Sequence, residues 1–273
     1  FLIAILISCF YLPLLRKNIM NNYLLLILLI PIFCLGQSSS DYFLEAYDKQ
    51  NNGNYKEALI AYDKSIALDS QASGSYYNRA IVKYKLKDYN GAIIDFTTSI
   101  KLNPSDNTAF YNRADVRAAI NDFEGAIEDC SMALNLEPFD AYTQYNRGYY
   151  YSKILDFKNA ILDYNKTISI KPKFIPAYRQ RGVAYSKIGD YKSSLKDFNH
   201  VISYQLGKVE GIDDNNPNNK SGDYYNRAVA KYYLDDKEGA CRDVRMAKEL
   251  GYSLSKIKDL KCEWFLNKSK LWI

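Results

Sequence analysis

The chain has 273 residues, and its 36 Lys and Arg against 31 Asp and Glu give a formal net charge of +5. So mild an excess, spread along the chain, forms no concentrated basic face and argues against nucleic acid as a partner. His200 is the only histidine, which argues against a multi-histidine metal site and against a Cys-His pair with Cys130, Cys241 or Cys262. With no Gly-x-Ser-x-Gly elbow and no phosphate-binding glycine loop either, the expectation is a protein without catalysis, cofactor or metal.

The opening stretch "FLIAILISCFYLPLLRKNI" does not begin with Met, whereas "MNNYLLLILLIPIFCLGQ" from Met20 has the shape of an export signal. A polar start precedes an apolar run from Tyr23 to Phe33, and small Cys34 and Gly36 are placed for cleavage before Gln37. Residues 1–36 therefore read as an upstream segment plus a signal peptide, and the mature protein as periplasmic or secreted. The alternative is a membrane anchor made of two apolar stretches split by Arg16 and Lys17. Each stretch is short for a span of about 20 residues. Contact with a membrane is expected only through this segment, if it stays uncleaved.

From residue 39 the chain repeats itself. "YYNRA" at 76–80 returns as "FYNRA" at 110–114, "QYNRG" at 144–148 and "YYNRA" at 224–228. Asn78, Asn112 and Asn146 are 34 residues apart (112−78 and 146−112), and Gln180 stands one step further. Asn226 follows after 46, which is 34 plus a 12-residue insertion. Small residues keep the same phase at Ala46, Ala80, Ala114, Gly148, Gly182 and Ala228, and again at Ala58, Ala92, Ala126, Ala160, Ser194 and Ala240. Aromatics recur at Tyr55, Tyr89, Phe123, Phe157 and Tyr191, and prolines close units at Pro104, Pro138 and Pro172. A fixed period of this length marks a stacked-repeat solenoid.

Inside a unit the pattern is helical. "EGAIEDCSMAL" sets Ala126, Ile127, Cys130, Ala133 and Leu134 on one face by steps of one, three and four. Asn54, Asp88, Asp122, Asp156, Asp190 and Asp236 stand before the second helices as acceptors for first-turn N–H groups. A pair of helices is too small to bury its own apolar face, so each unit needs its neighbours.

These residues resemble the tetratricopeptide repeat, a helix-turn-helix unit of this length with small residues at its eighth and twentieth positions and a closing proline. The resemblance implies an all-α, right-handed solenoid of about six units beginning at residues 39, 73, 107, 141, 175 and 221. Five units then fill 39–208, an Asn/Asp-rich insertion 209–220, a sixth unit 221–254, and a capping helix and tail 255–273. The fourth-position Trp of the family is replaced by Tyr42, Tyr76, Phe110, Gln144, Tyr178 and Tyr224. Within the insertion, Asp213 and Asp214 lack the alternating acceptors of a calcium loop, and a surface excursion is expected.

The arginine of the motif has a scaffold reading. Arg79, Arg113, Arg147, Arg181 and Arg227 occur in units that also carry Asp95, Asp129, Asp163, Asp197 and Asp243, while the first unit has Glu45 and Ala61 instead. That co-occurrence predicts an Arg–Asp pair bridging the two helices of each unit. A basic stripe for an acidic ligand is the alternative, but matched acids would cancel its field. Cys241 and Cys262 fall on neighbouring terminal helices, where an exported protein could join them in a disulfide or leave two buried thiols.

In tetratricopeptide proteins the first helices line a groove, so the resemblance points to Tyr77, Asn78, Tyr111, Asn112, Tyr145, Asn146, Tyr149, Arg179, Tyr225, Asn226 and Tyr232 as partner-binding residues. Tyrosine supplies apolar area with little entropy to lose, and asparagine can both donate to and accept from a peptide backbone. The competing reading is that Asn ties adjacent helices together. A clamp for a C-terminal carboxylate is not expected, because Tyr77, Ile81 and Tyr142 stand where such a clamp needs polar and cationic groups. The function implied is a non-catalytic scaffold or adaptor that binds an extended internal segment of a protein partner. The alternative is a carbohydrate-binding envelope protein using the same Tyr- and Asn-lined groove.

Overall fold

The computed structural model describes residues 37–204 and 217–253, together with Cys262; of 217–219 it describes the backbone only. The expected export segment at 1–36, the insertion up to residue 216 and, apart from Cys262, the capping helix at 255–273 lie outside these residues. Among the described residues there are twelve α-helices and no strand, so the fold is all-α. They run α1 (Ser39–Asn51), α2 (Tyr55–Leu68), α3 (Ser73–Lys85), α4 (Tyr89–Leu102), α5 (Asn107–Ala119) and α6 (Phe123–Leu136). There follow α7 (Ala141–Lys153), α8 (Phe157–Ile170), α9 (Ile175–Lys187), α10 (Tyr191–Ser203), α11 (Pro217–Tyr233) and α12 (Lys237–Glu249). Five first helices start where the 34-residue phase puts them. The sixth, α11, starts at Pro217, inside the stretch expected to be insertion. Proline suits a first helical position, where its missing N–H would have had no partner.

Each helix pair is joined by the same short turn. After α3 the N–H of Lys87 reaches Tyr84 O at 2.9 Å and that of Asp88 reaches Lys83 O at 2.9 Å, the paired bonds that close a helix around a left-handed residue. That residue is Gly53, Lys87, Asn121, Leu155, Gly189 or Asp235 in successive units, with φ between 63° and 81°. The next residue then starts the second helix. Asp88, Asp122, Asp156, Asp190 and Asp236 each accept from the backbone N–H three residues on. Asn54 makes no such bond, so the first unit departs from the expected cap.

The chain divides into two compact units, Phe1–Ser75 and Tyr76–Ile273. In the first, a capping box of Ser38 and Asp41 opens α1, and Ala46, Ala58, Ala61 and Tyr62 are buried between α1 and α2. Tyr62 satisfies its buried hydroxyl by donating to Gln50 Oε1 at 2.8 Å. In the second unit each first helix packs on its second, and each second helix from α4 onward packs on the first helix of the next pair, α10 on α11 included. Its core is built of Ala80, Ala92, Phe96 and Val116, then of Ala114, Ala126, Cys130 and Tyr150. The small eighth residue is what lets paired helices meet. A Cβ added at Gly148 would stand 2.9 Å from the Tyr164 ring and 3.1 Å from Asp163 Cβ.

At the C-terminal end, Cys241 on α12 is bonded to Cys262, with the Cα atoms 5.5 Å apart. Both cysteines pack with Ala228, Ala240 and Val244. Cys130 is the free cysteine among the described residues; it is fully buried, and burial pushes its thiol pKa well above the usual range.

Candidate functional site

Two ladders of side chains run along the first helices, and they have different work. The arginines come first. Arg113 donates from Nε to Asp129 Oδ2 at 2.9 Å and from Nη2 to Oδ1 at 2.6 Å. The same two-pronged geometry joins Arg79 to Asp95, Arg147 to Asp163, Arg181 to Asp197 and Arg227 to Asp243. All five aspartates are buried, so these pairs sit where water screens little. The third prong goes to the unit before: Nη1 of Arg113 reaches Thr97 Oγ1, that of Arg147 Ser131 Oγ, that of Arg181 Asn165 Oδ1 and that of Arg227 Asn199 Oδ1. Each of these four arginines thus fastens its own helix pair and the preceding one. The receiving residues were missed in the sequence, yet they are all polar and recur at the 34-residue step.

The Tyr-Asn row also ties units together in part. Asn112 Nδ2 donates to Tyr77 Oη at 2.7 Å, and Asn146 Nδ2 to Tyr111 Oη at 3.0 Å. A fifth-position tyrosine thereby accepts from the sixth-position asparagine of the next unit, and one amide proton of each asparagine is taken. Asn78 and Asn226 are half-buried at the equivalent places. Arg179, expected among the partner-binding residues, belongs to the scaffold instead. Its Nε lies 2.8 Å from Asp223 Oδ1, and Asp223 is fully buried. A buried carboxylate needs a cation, and Arg179 supplies it across the junction of the fifth and sixth units.

Several of the tyrosines are half-buried and meet a neighbouring ring, mostly edge-on. Tyr77 meets Phe96 edge-on at 5.7 Å, Tyr145 meets Phe174 at 5.1 Å, and Tyr225 stacks on Tyr252 at 4.6 Å. Tyr149 lies against Tyr150 at 6.0 Å, and Tyr232 against Tyr233 at 5.7 Å. His200 is packed as well, its ring 4.2 Å from that of Tyr178. Between the third and fourth units the face opens into a hollow of about 250 Å³ lined by Asn107, Thr108, Tyr111, Asp140 and Tyr142. Thr108 and Tyr142 are its exposed members; Tyr142 is 53% accessible, with Lys171 Nζ 3.8 Å above its ring. Tyr111 is drawn inward: burial, then the charge of Asp115, push its hydroxyl pKa up to about 12. Asp115 itself accepts from Tyr150 Oη at 2.7 Å. Neither Asp115 nor Tyr150 stood out in the sequence, because neither follows the repeat.

No group of side chains among the described residues could hold a metal ion, and no described helix is long and apolar enough to cross a membrane. Residues 73–106, 141–174 and 175–206 each match a family model described as Tetratricopeptide repeat. Those three stretches are tetratricopeptide repeats. Among solved structures the chain is similar to a MamA protein, at 26% identity over 64% of this chain and 96% of that one, with a TM-score of 0.60. The fold is also that of a tetratricopeptide repeat protein from Parabacteroides merdae, at 20% identity over 82% and 98% of the two chains and a TM-score of 0.57. YrrB, a TPR protein with an unusual peptide-binding site, shares it at 18% identity over 71% and 94% with a TM-score of 0.61. No curated protein matches this chain.

Proposed function

We propose that this tetratricopeptide-repeat protein is a non-catalytic adaptor that binds an extended, internal segment of a protein partner along its first helices. The observation that carries the reading is the hollow between Tyr111 and Tyr142, a place where the first-helix face opens, as it also does beside Phe43 in the first unit. Other rings along that face close on one another, and Asn112 and Asn146 each spend a proton on a neighbouring unit. Half-buried tyrosines lose little freedom when a ligand covers them, so a segment laid across the hollow gains apolar contact at small entropic cost. An internal segment is favoured over a C-terminus because Arg179, the one cation in the fifth-position row, is engaged by Asp223. Export to the bacterial envelope is part of the proposal. It is supported by the Cys241–Cys262 disulfide, a bond that persists in oxidising compartments.

The test is affinity capture from an envelope extract with the wild-type chain and with a Tyr111→Ala/Tyr142→Ala variant in parallel. Peptides from a protein held by the wild type alone are then titrated with free and amidated C-termini. The expected result is loss of binding in the variant and no effect of amidation. Equal capture by both chains, or affinity lost on amidation, would overturn the reading.

A further inference from the structure

Asp115 breaks the pattern of the first-helix face. It stands one helical turn beyond Tyr111 on the same side of α5, at the ninth place of its unit. The other units carry Tyr47, Ile81, Tyr149, Val183 and Val229 there, so the place is apolar or aromatic everywhere else. Its partners are unusual too. Each of the buried aspartates Asp95, Asp129, Asp163, Asp197, Asp223 and Asp243 is held by an arginine. Half-buried Asp115 has only the Tyr150 hydroxyl, and no ion pair engages it among the described residues. Burial raises its pKa, and the Tyr150 bond offsets this only in part. A carboxylate drawn from water without a countercharge costs the folded chain free energy. A ligand that brings the cation recovers that cost on binding.

The surroundings suit such a ligand. The charge of Asp115 is felt at the hydroxyls of Tyr84, Tyr111 and Tyr150. Aromatic faces in the same stretch already hold ammonium groups, Lys171 over Tyr142 at 3.8 Å and Lys153 over Tyr149 at 4.9 Å. A cation against a tyrosine ring and a carboxylate is attracted by both. We propose that Asp115, with Tyr84, Tyr111 and Tyr150 around it, is the specificity determinant of this face and receives a lysine or arginine side chain of the bound segment. This rests on the proposed binding of an extended segment along the first helices.

The experiment is a selection of random twelve-residue displayed peptides against the wild-type chain and against Asp115→Asn. The amide keeps an acceptor for Tyr150 and removes only the charge, so a merely structural role of Asp115 would leave the selected sequences alike. The expected result is Lys or Arg at one fixed position in the wild-type pool and loss of that preference in the Asn pool. Fluorescence polarisation of a wild-type-selected peptide should then show at least about tenfold weaker binding to Asp115→Asn, with the melting temperature no lower. Peptides selected without a basic position, or a basic preference that survives in Asp115→Asn, overturn the role of Asp115 alone. If wild type and Tyr111→Ala/Tyr142→Ala select nothing different, the binding face itself is wrong and the inference falls with it.

Discussion

Removing one arginine of the ladder should cost different amounts in different units, and the structure says which is worse. Arg147→Ala deletes two charge-assisted bonds to Asp163, each 2.8 Å, and the link to Ser131 at 3.0 Å. Asp163, side chain 6% exposed, keeps only the neutral amide of Gln144. Stranding a buried charge costs about 3–5 kcal/mol; the Arg147 side chain is 21% exposed, so water reaches the vacated side and about 3 kcal/mol is expected. Arg113→Ala deletes the same set of bonds, but Asp129 retains a second cation, Arg117, at 3.1 Å. Its cost should be about half as large, roughly 1.5 kcal/mol, since a charge-assisted bond survives. The difference of about 1.5 kcal/mol is roughly tenfold in the folded-to-unfolded ratio. Urea denaturation measures it, with hydrogen exchange on α7 and α8 because repeat arrays open unit by unit. Arg147→Ala combined with Asp163→Ala should recover part of the loss. Equal losses for the two single variants, or a strictly additive double variant, would refute the argument.

Leu155 holds φ at 63° in the turn where Gly53 and Gly189 stand in other units, and it is 72% exposed. Leu155→Gly should therefore stabilise the chain by about 1 kcal/mol, measured by thermal unfolding, because glycine alone takes this conformation without strain; a loss would show that the side chain packs. Mass spectrometry of the native protein should find a start near Gln37 and, after non-reducing digestion, one fragment crosslinked through Cys241 and Cys262. Two thiols that alkylate freely, or a chain that still begins upstream of Tyr23, would reject the exported, bonded form.

The repeat itself was legible in the sequence by physical necessity. A helix pair that cannot bury its own apolar face must present the same small residues, the same cap and the same turn to every neighbour, and such demands recur at a fixed step. Ala80, Asp88 and Arg79 could be placed from their periodic copies alone, and so could the all-α class. What escaped was whatever depends on one particular junction. Arg179 is periodic with Tyr77, Tyr111 and Tyr145, yet its role is set by Asp223, whose place is held by Ser75, Ala109, Thr143 and Ala177 in the second to fifth units. Asn112 and Asn146 face in a direction the sequence could describe, but only packing decides that a tyrosine hydroxyl from the preceding unit lies within 3.0 Å. Asp115 and Tyr150 are the clearest case, since neither repeats and they are brought together by the stacking of α5 against α7. Periodicity encodes what every unit must do alike; the carboxylate of Asp115 without a countercharge arises where two units differ, and only the tertiary structure puts the differing residues side by side.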